Sequence, residues 1–482
     1  MELNLGEEKI GNLIRRFSIP CVISMVVAAL YNIVDQIFIG WSEAGAFGNA
    51  ATNIVYPFTV MALGLALLIG DGAASGFSIA LGQQAKKKAD KNIGNGLIML
   101  ISISILLCIT GFAFGKNILA MFGADPEEEL CYKYANDYFL VICTGLPFYM
   151  IGQGLNGSIR ADGAPRYAMS CTLAGAIANL ILDPLFIFAF GMGVRGAAVA
   201  TVIGQLLTFG MSIAYLRSPR QFTLSKDAIK PDPGIIGRIV SIGMASLIVQ
   251  LSIVIIIAVN NNLLGKYGYE TYASTGTAYG AVIPLAVVGI VMKVFGIVVS
   301  VVIGISLGGQ PIIGFNLGAG RMDRVKETIT VITKLILAVG IISFVVFEFI
   351  PDAVINLFGS KNTLEYMEYA RLCIRIFLGG IILTCFIKSA AIMLQSMGNS
   401  FKSTLLALLR DVIIFVPASI ILARVSHSIV TMLWAAVISD VITAFIGFIF
   451  MRNTIRGLSE VDNYTKATDI ADLAIKKVNS EF

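Results

Sequence analysis

The sequence predicts an all-helical membrane protein, with about twelve transmembrane helices in two parallel six-helix bundles. Three observations carry that expectation. Of 482 residues, 57% are hydrophobic and only 13% charged, with a mean hydropathy of +0.84, far more apolar than the mixed surface of a soluble protein permits. Apolar runs near the roughly 20 residues needed to cross a bilayer recur along almost the whole chain, separated by short loops that hold most of the charge. Landmarks of the first half also return in the second. The runs are continuously apolar, not alternating, which excludes a barrel of strands.

The first six spans are expected at 14–40, 52–80, 95–115, 137–158, 168–191 and 195–217, and the second six at 238–262, 278–306, 328–350, 372–395, 404–423 and 429–452. The first follows Arg15-Arg16 but runs past a signal peptide's apolar core and ends at Gly40-Trp41 without a small-residue cleavage site, so it reads as a retained helix. Six of the seven cysteines lie inside spans and Cys131 near the mouth of one, without spacing suited to disulfides or a metal.

Lys and Arg collect in alternate loops, and positive loops stay cytoplasmic. One set holds Lys86-Lys87-Lys88 with Lys91, Arg160 and Arg166, the stretch from Arg217 and Arg220 to Arg238, Arg321 with Arg324 and Lys326, and Lys402. The other set, including Glu43, the run from Asp125 to Glu129 and Glu270, is acidic or nearly neutral and faces outward. Both termini are therefore expected in the cytoplasm, with the chain in the plasma (inner) membrane. The net charge of +5 reflects this topology; no long basic stretch interleaved with aromatics suggests nucleic acid.

The repeat is explicit. Leu81-Gly82 returns as Leu317-Gly318 and Phe122-Gly123 as Phe358-Gly359, both at an offset of 236; Tyr134-Ala135 returns as Tyr369-Ala370 and Gly163 as Gly398, both at 235. With six spans per repeat the halves share one orientation, and the natural cavity lies between them. The expected organisation is an N-terminal lobe at 1–217, a cytoplasmic linker at 218–237 containing Pro219, Pro231, Pro233 and Gly234, a C-terminal lobe at 238–456 and a cytoplasmic tail at 457–482.

Charges inside spans are the informative residues, because each costs several kcal/mol unless paired or wetted. Asp35 lies about a turn before the outer end of the first span and Asp183 about two turns before the outer end of the fifth. Their depths match within about one turn, so they suit a shared site. Asn179 precedes Asp183 by four residues, on the same helix face, and Pro184 removes a backbone donor beside them. The plainer reading gives each Asp a packing role. Asp71 between Gly70 and Gly72, and Glu348 near Pro351, serve structure as readily as function. Lys293, Arg375, Lys388, Arg410 and Asp411 bring charge into the second half as structural ion pairs or cavity lining; Arg410 and Asp411, adjacent and about 100° apart on a regular helix, call for other partners. The lone His427 reads as a solvated loop residue. Met, Phe and Tyr would suit a soft cavity, though lipid contact and packing use them equally.

The motifs resemble the multidrug and toxic compound extrusion family from about residue 10 to 450. The resemblance rests on Pro20 with Tyr31-Asn32-Ile33-Val34-Asp35-Gln36-Ile37-Phe38-Ile39-Gly40, Leu81-Gly82 before a basic loop, Arg160-Ala161-Asp162-Gly163-Ala164-Pro165-Arg166, Asn179 through Pro184, and Gly196-Ala197-Ala198-Val199-Ala200-Thr201. It implies two bundles around a central cleft that alternates between outward-open and inward-open states, exporting lipophilic organic cations and drugs by proton or sodium antiport. It places the cation site, or sodium ligands if sodium is the coupling ion, on Asp35, Asn179, Asp183 and Thr201, with Tyr31, Gln250 and Asp411 as further candidates. Members with acidic residues on the seventh and tenth helices differ from this chain, where 240–262 and 372–394 hold no Asp or Glu. Two carboxylates sharing a buried site repel one another, and a proton or a metal cation relieves that repulsion. The expected chain is a monomer among membrane lipids, with no cofactor.

Two alternatives bear on the same features. A lipid-linked oligosaccharide flippase would face a pyrophosphate with cations, for which Lys293, Lys388 and Arg410 are the material, while the Asp pair opposes it. A membrane-embedded enzyme lacks an aspartate-rich metal pair, a Gly-x-Ser-x-Gly elbow or a His pair in a chain with one His. No phosphate-binding P-loop is present for ATP.

Overall fold

The computed structural model describes residues 5–122, 129–273, 282–356 and 364–480, and these are almost entirely helical. The membrane-scale elements are α1 (Ile10–Trp41), α2 (Gly45–Gly82), α3 (Lys86–Met121), α4 (Glu129–Ala161), α5 (Pro165–Pro184), α6 (Gly193–Tyr215), α7 (Pro233–Ala273), α8 (Val282–Gly318), α9 (Met322–Phe349), α10 (Leu364–Phe377 and Ile381–Ser396), α11 (Ser400–Leu408 and Phe415–Ser426) and α12 (Ile429–Ser480). Among the described residues eleven spans are long and apolar enough to cross a membrane, and α10 makes a twelfth if its two pieces, bent by 47°, are one span.

Most of the helices outrun their expected spans, because hydropathy marks only the apolar middle while the backbone ladder continues through polar flanks. Thus α3 begins at Lys86, inside the basic loop. Three irregularities went unseen in the sequence. Helix α10 breaks at Leu378-Gly379-Gly380, α5 continues into a wide π turn at Leu185–Ala189 beyond Pro184, and α11 contains a second π turn at Leu409–Ile414. Residues 123–128, which hold Gly123 and all of the acidic run from Asp125 to Glu129 except Glu129, lie outside the described residues, as does the second copy of the Phe-Gly pair, Phe358-Gly359. The linker is tied down. Asp162 accepts from the Tyr215 hydroxyl at 2.6 Å and from the backbone of Arg220 and Gln221 at 2.7 and 2.8 Å, and Asp90 accepts from Thr223. Lys91 beside Asp232 holds that carboxyl below the usual carboxylate range.

The repeat reappears as matched turns. At the end of α2 the Ala85 amide bonds Ala80 and Gln84 bonds Leu81; at the end of α8 Arg321 bonds Asn316 and Gly320 bonds Leu317. After α4, Ala164 bonds Ile159 and Gly163 bonds Arg160; after α10, Asn399 bonds Leu394 and Gly398 bonds Gln395. Each pair closes orphan helix carbonyls through a left-handed residue, with φ of 57° at Gln84, 70° at Gly320, 83° at Gly163 and 73° at Gly398.

The halves meet where α2 crosses α8. A side chain at Gly82 would overlap the carbonyl of Phe315, and one at Gly318 the carbonyl of Ile79; Ile79 and Phe315 stand 236 positions apart, as do the two glycines. The contact is thus nearly self-complementary. Lipid supplies no hydrophobic drive for helix association, so close approach through small residues takes its place. Gln310 donates to Ser75 across this seam at 2.7 Å, and Ser18 of α1 donates to the Ile305 carbonyl of α8 at 3.0 Å.

Of the four matched turn positions only Gln84 carries a side chain in the left-handed region, which costs about 1–2 kcal/mol relative to a right-handed residue. Gln84→Gly is expected to stabilise the protein by about 1 kcal/mol and Gly320→Gln to destabilise it by a similar amount. Thermal unfolding in detergent checks both, and a lower Tm for Gln84→Gly would contradict the assignment.

Candidate functional site

A cavity of about 270 Å³ lies between the halves. The first half contributes Tyr31, Asn32, Gln153, Asn156, Asn179, Thr201 and Gln205 to its polar lining, and the second half Ser246, Gln250, Lys388, Gln395 and Arg410. Leu63, Leu67, Phe148 and Ile392 are among its apolar walls.

Four of the residues named from sequence come together on the first-half side. Asn179 Nδ2 donates to Asp183 Oδ1 at 3.1 Å, one helical turn away, and to Thr201 Oγ1 of α6 at 3.3 Å. The carboxyls of Asp35 and Asp183 are neighbours close enough to act on one another electrostatically. Asp183 is fully buried. Asp35 Oδ1, Asn179 Oδ1 and Asp183 Oδ2 are buried acceptors without a hydrogen-bond partner, the configuration expected of a site that holds a proton or an ion, since buried polar atoms otherwise find partners. Asn179 and Thr201 line the cavity, whereas Asp35 and Asp183 stand outside its lining. Tyr31 and Tyr138 stand near the carboxylates; Tyr138, on α4, carried no sequence signal beyond its aromatic character.

The floor is a second polar network. Asp71 accepts from Ser246 Oγ at 2.8 Å and stands 3.8 Å from the Arg160 guanidinium. Gln395 donates to the same Ser246 at 3.0 Å, and Arg160 donates to Asn156 at 2.5 Å. Asp71 is thus a link between halves, and Arg160, assigned from sequence to a basic loop, is buried in the last turn of α4. A charge there survives because Asp71 and Asn156 meet it.

In the second half Lys388, Arg410 and Asp411 do form ion pairs, as expected, whereas Lys293 enters none of the ion pairs found among the described residues. Lys388 Nζ stands 2.7 Å from Asp411 Oδ2, Arg410 Nη1 2.8 Å from Asp411 Oδ1, and Arg410 Nε 3.0 Å from Asp440 Oδ1. Arg410 and Asp411 therefore pair directly, against the expectation from a regular helix, because they sit in the wide π turn and the long arginine stem folds back. Asp440, absent from the sequence candidates, completes the cluster. It also accepts from Thr384 Oγ1 at 2.6 Å and packs on Gly380, where the break in α10 leaves room for it. Its sequence signal was the same as for the others, an acid inside an apolar run. Gln250 lines the cavity; Asp411 and Lys293 do not. Arg375 meets Glu348 at the protein surface, and His427 is an exposed helix cap whose ring packs on Tyr267. All seven cysteines are free.

Removing Asp440 would leave Lys388 and Arg410 with one carboxylate between them in a buried site. Asp440→Ala is expected to cost about 3–5 kcal/mol, whereas Asp352→Ala, which breaks the exposed pair with Arg371, should change stability little. Thermal unfolding of the two variants side by side checks the contrast.

The MatE family model matches residues 20–185 and 275–420. The chain is 24% identical over 429 residues to the multidrug export protein MepA of Staphylococcus aureus strain MSSA476, covering 89% of this chain and 90% of that one. MepA of Staphylococcus saprophyticus is 24% identical over 433 residues, with the same coverage. Among solved structures, an outward-facing multidrug resistance MATE transporter of the MOP superfamily superposes with a TM-score of 0.85 at 23% identity, covering 95% of this chain and 98% of that one. A MOP superfamily transporter from Pyrococcus furiosus, described as having a binding pocket of reversed polarity, superposes with a TM-score of 0.84 at 23% identity, covering 94% and 98%. With the MatE model spanning both halves, and a helical fold built around one central cavity, the chain belongs to the MatE family of multidrug efflux transporters.

Proposed function

We propose that this chain exports lipophilic organic cations by antiport, with the Asp35–Asp183 pair as the coupling site and the central cavity as the drug site. The observation that carries this reading is the pair itself, a fully buried Asp183 and a half-buried Asp35 side by side, each with an unmet buried acceptor, joined to the cavity through Asn179. A proton taken up by the pair removes its repulsion and alters what Asn179 can bond, so ion and drug communicate without touching. Only differential affinity for the two conformations can drive the cycle; the coupling ion must therefore favour the outward state and oppose drug there. The relatives named as multidrug exporters support the substrate class.

Asn179 turns its amide nitrogen to Asp183 and Thr201 and keeps Oδ1 without a partner, so a proton on the carboxyl pair or a sodium ion taking oxygens from Asp35, Asn179, Asp183 and Thr201 would each neutralise the site, and the coupling ion is decided by the gradient that drives transport. Both termini are assigned to the cytoplasm of a plasma (inner) membrane, with lobes at 1–217 and 238–456, on the distribution of Lys and Arg.

Asp183→Asn keeps the shape and removes the charge, so it is expected to abolish gradient-driven ethidium accumulation by sealed everted vesicles while leaving the protein inserted. Asp411→Asn should do less. Vesicles energised separately by a pH gradient and by a sodium gradient report the coupling ion; near-normal transport by Asp183→Asn with complete loss in Asp411→Asn would move coupling to the second half. For topology, Arg166 and Phe401 are exposed beside the matched turns at Gly163 and Gly398. In a cysteine-free background, Arg166→Cys and Phe401→Cys should react with an impermeant maleimide in everted vesicles but not in intact cells, and labelling in intact cells would reverse the assignment.

A further inference from the structure

The charge that faces the cavity is not what a receptor for simple cations requires. Among the described residues that line it, three are basic, Arg160, Lys388 and Arg410, and one is acidic, Asp71. Arg160 and Asp71 offset one another at the floor. Lys388 and Arg410 remain on the second-half wall, and their acidic partners stand behind them. Asp411 and Asp440 have side chains only 1% exposed and neither lines the cavity. The cluster is therefore polarised, its basic members lining the cavity and its acidic members set behind them.

Donors are also left over. A lysine ammonium has three and a guanidinium five. The hydrogen bonds at Lys388 Nζ use one, to Asp411, and those at Arg410 use Nε to Asp440 and Nη1 to Asp411. The guanidinium also stands over the Phe295 ring, 5.6 Å from its centroid, which fixes its plane. A carboxylate entering the cavity finds charge-assisted donors on this wall; a group that is only positive meets repulsion there.

We propose that Lys388 and Arg410 form an anion-binding subsite, and that the preferred substrates are amphoteric: lipophilic molecules carrying a carboxylate for this wall as well as the cationic centre assigned above. The proposal rests on the export reading and narrows its substrate class. Esterifying the acid should weaken a substrate, an effect that a receptor for simple cations would not show.

The fluorescent dye rhodamine 110 and its methyl ester rhodamine 123 differ only in that carboxyl. Binding of each to the purified protein in detergent, followed by fluorescence polarisation, needs no gradient. The wild type is expected to bind the acid about tenfold more tightly than the ester, the scale of one charge-assisted contact. Lys388→Gln should bring the ratio near unity, and Lys388→Arg should restore it. Equal or tighter binding of the ester by the wild type overturns the subsite, as does a preference for the acid that survives Lys388→Gln. The wild-type comparison decides the matter even if Lys388→Gln does not fold. Preference for the acid in a protein that moves neither dye in energised vesicles upholds the subsite and sinks the export reading instead.

Discussion

The cost of leaving a charge unpaired inside a bilayer, several kcal/mol per group, organises this molecule, and the two halves meet it in opposite ways. The second half sets charges against one another: Lys388, Asp411, Arg410 and Asp440 form a linear chain of ion pairs, helped by a broken helix and a π turn that bring the side chains together. The first half leaves Asp35 and Asp183 facing each other, with only Asn179 donating to Asp183. A cluster whose charges balance resists change, whereas a pair of buried acceptors is responsive to whatever cation reaches it.

The duplication makes this divergence legible position by position. The offset of 235 that relates Gly163 to Gly398 also relates Gln153 to Lys388, Arg160 to Gln395 and Gln205 to Asp440. Except for Asp440, all of these line the cavity. One architecture thus presents amide where its copy presents charge, and the cavity between them acquires a polarity that neither half would have if the copies had stayed alike. The backbone was the conserved quantity: the turns close with the same hydrogen bonds in both halves, and glycines 82 and 318 press on carbonyls related by the same shift.

Much of this was readable from the sequence because its cause is local. Apolar length marks a span, and the fixed rise of a helix set Asp35 and Asp183 at matching depths before any coordinates. The spacing of four put Asn179 against Asp183, as observed. What was not readable depends on rotation and on breaks. Which face of α5 turns to the cavity decides that Asn179 lines it while Asp183 lies behind, and that is settled by packing between helices. Gly379-Gly380 interrupts α10 without lowering hydropathy, so the span looked continuous and the space it opens for Asp440 went unsuspected. Arg160 was assigned to a loop because charge counting cannot see a buried partner such as Asp71.

The seam between the halves is suited to being opened. Its close approach depends on glycine and carbonyl contacts at Gly82 and Gly318, and two of its cross-links are hydrogen bonds between uncharged groups, Gln310 to Ser75 and Ser18 to Ile305, while a third runs from Ser246 to the Asp71 carboxyl. Bonds between uncharged groups contribute about 0.5–1.5 kcal/mol each and one to a carboxylate about 1.5–3 kcal/mol, so a small set can be exchanged without a large barrier, in contrast to the ion pairs kept within the second half. The segment before α1 is held more firmly, since Arg324 and Asn316 donate to the Leu5 carbonyl and Arg324 also to Glu8. That clamp ties the start of one half to the α8–α9 turn of the other, so in the proposed transport cycle any rocking of the halves would pivot about this edge. Under the antiport proposed above, a proton reaching the carboxyl pair that Asn179 links to the cavity wall and the breaking of weak cross-links at the seam would be parts of one motion.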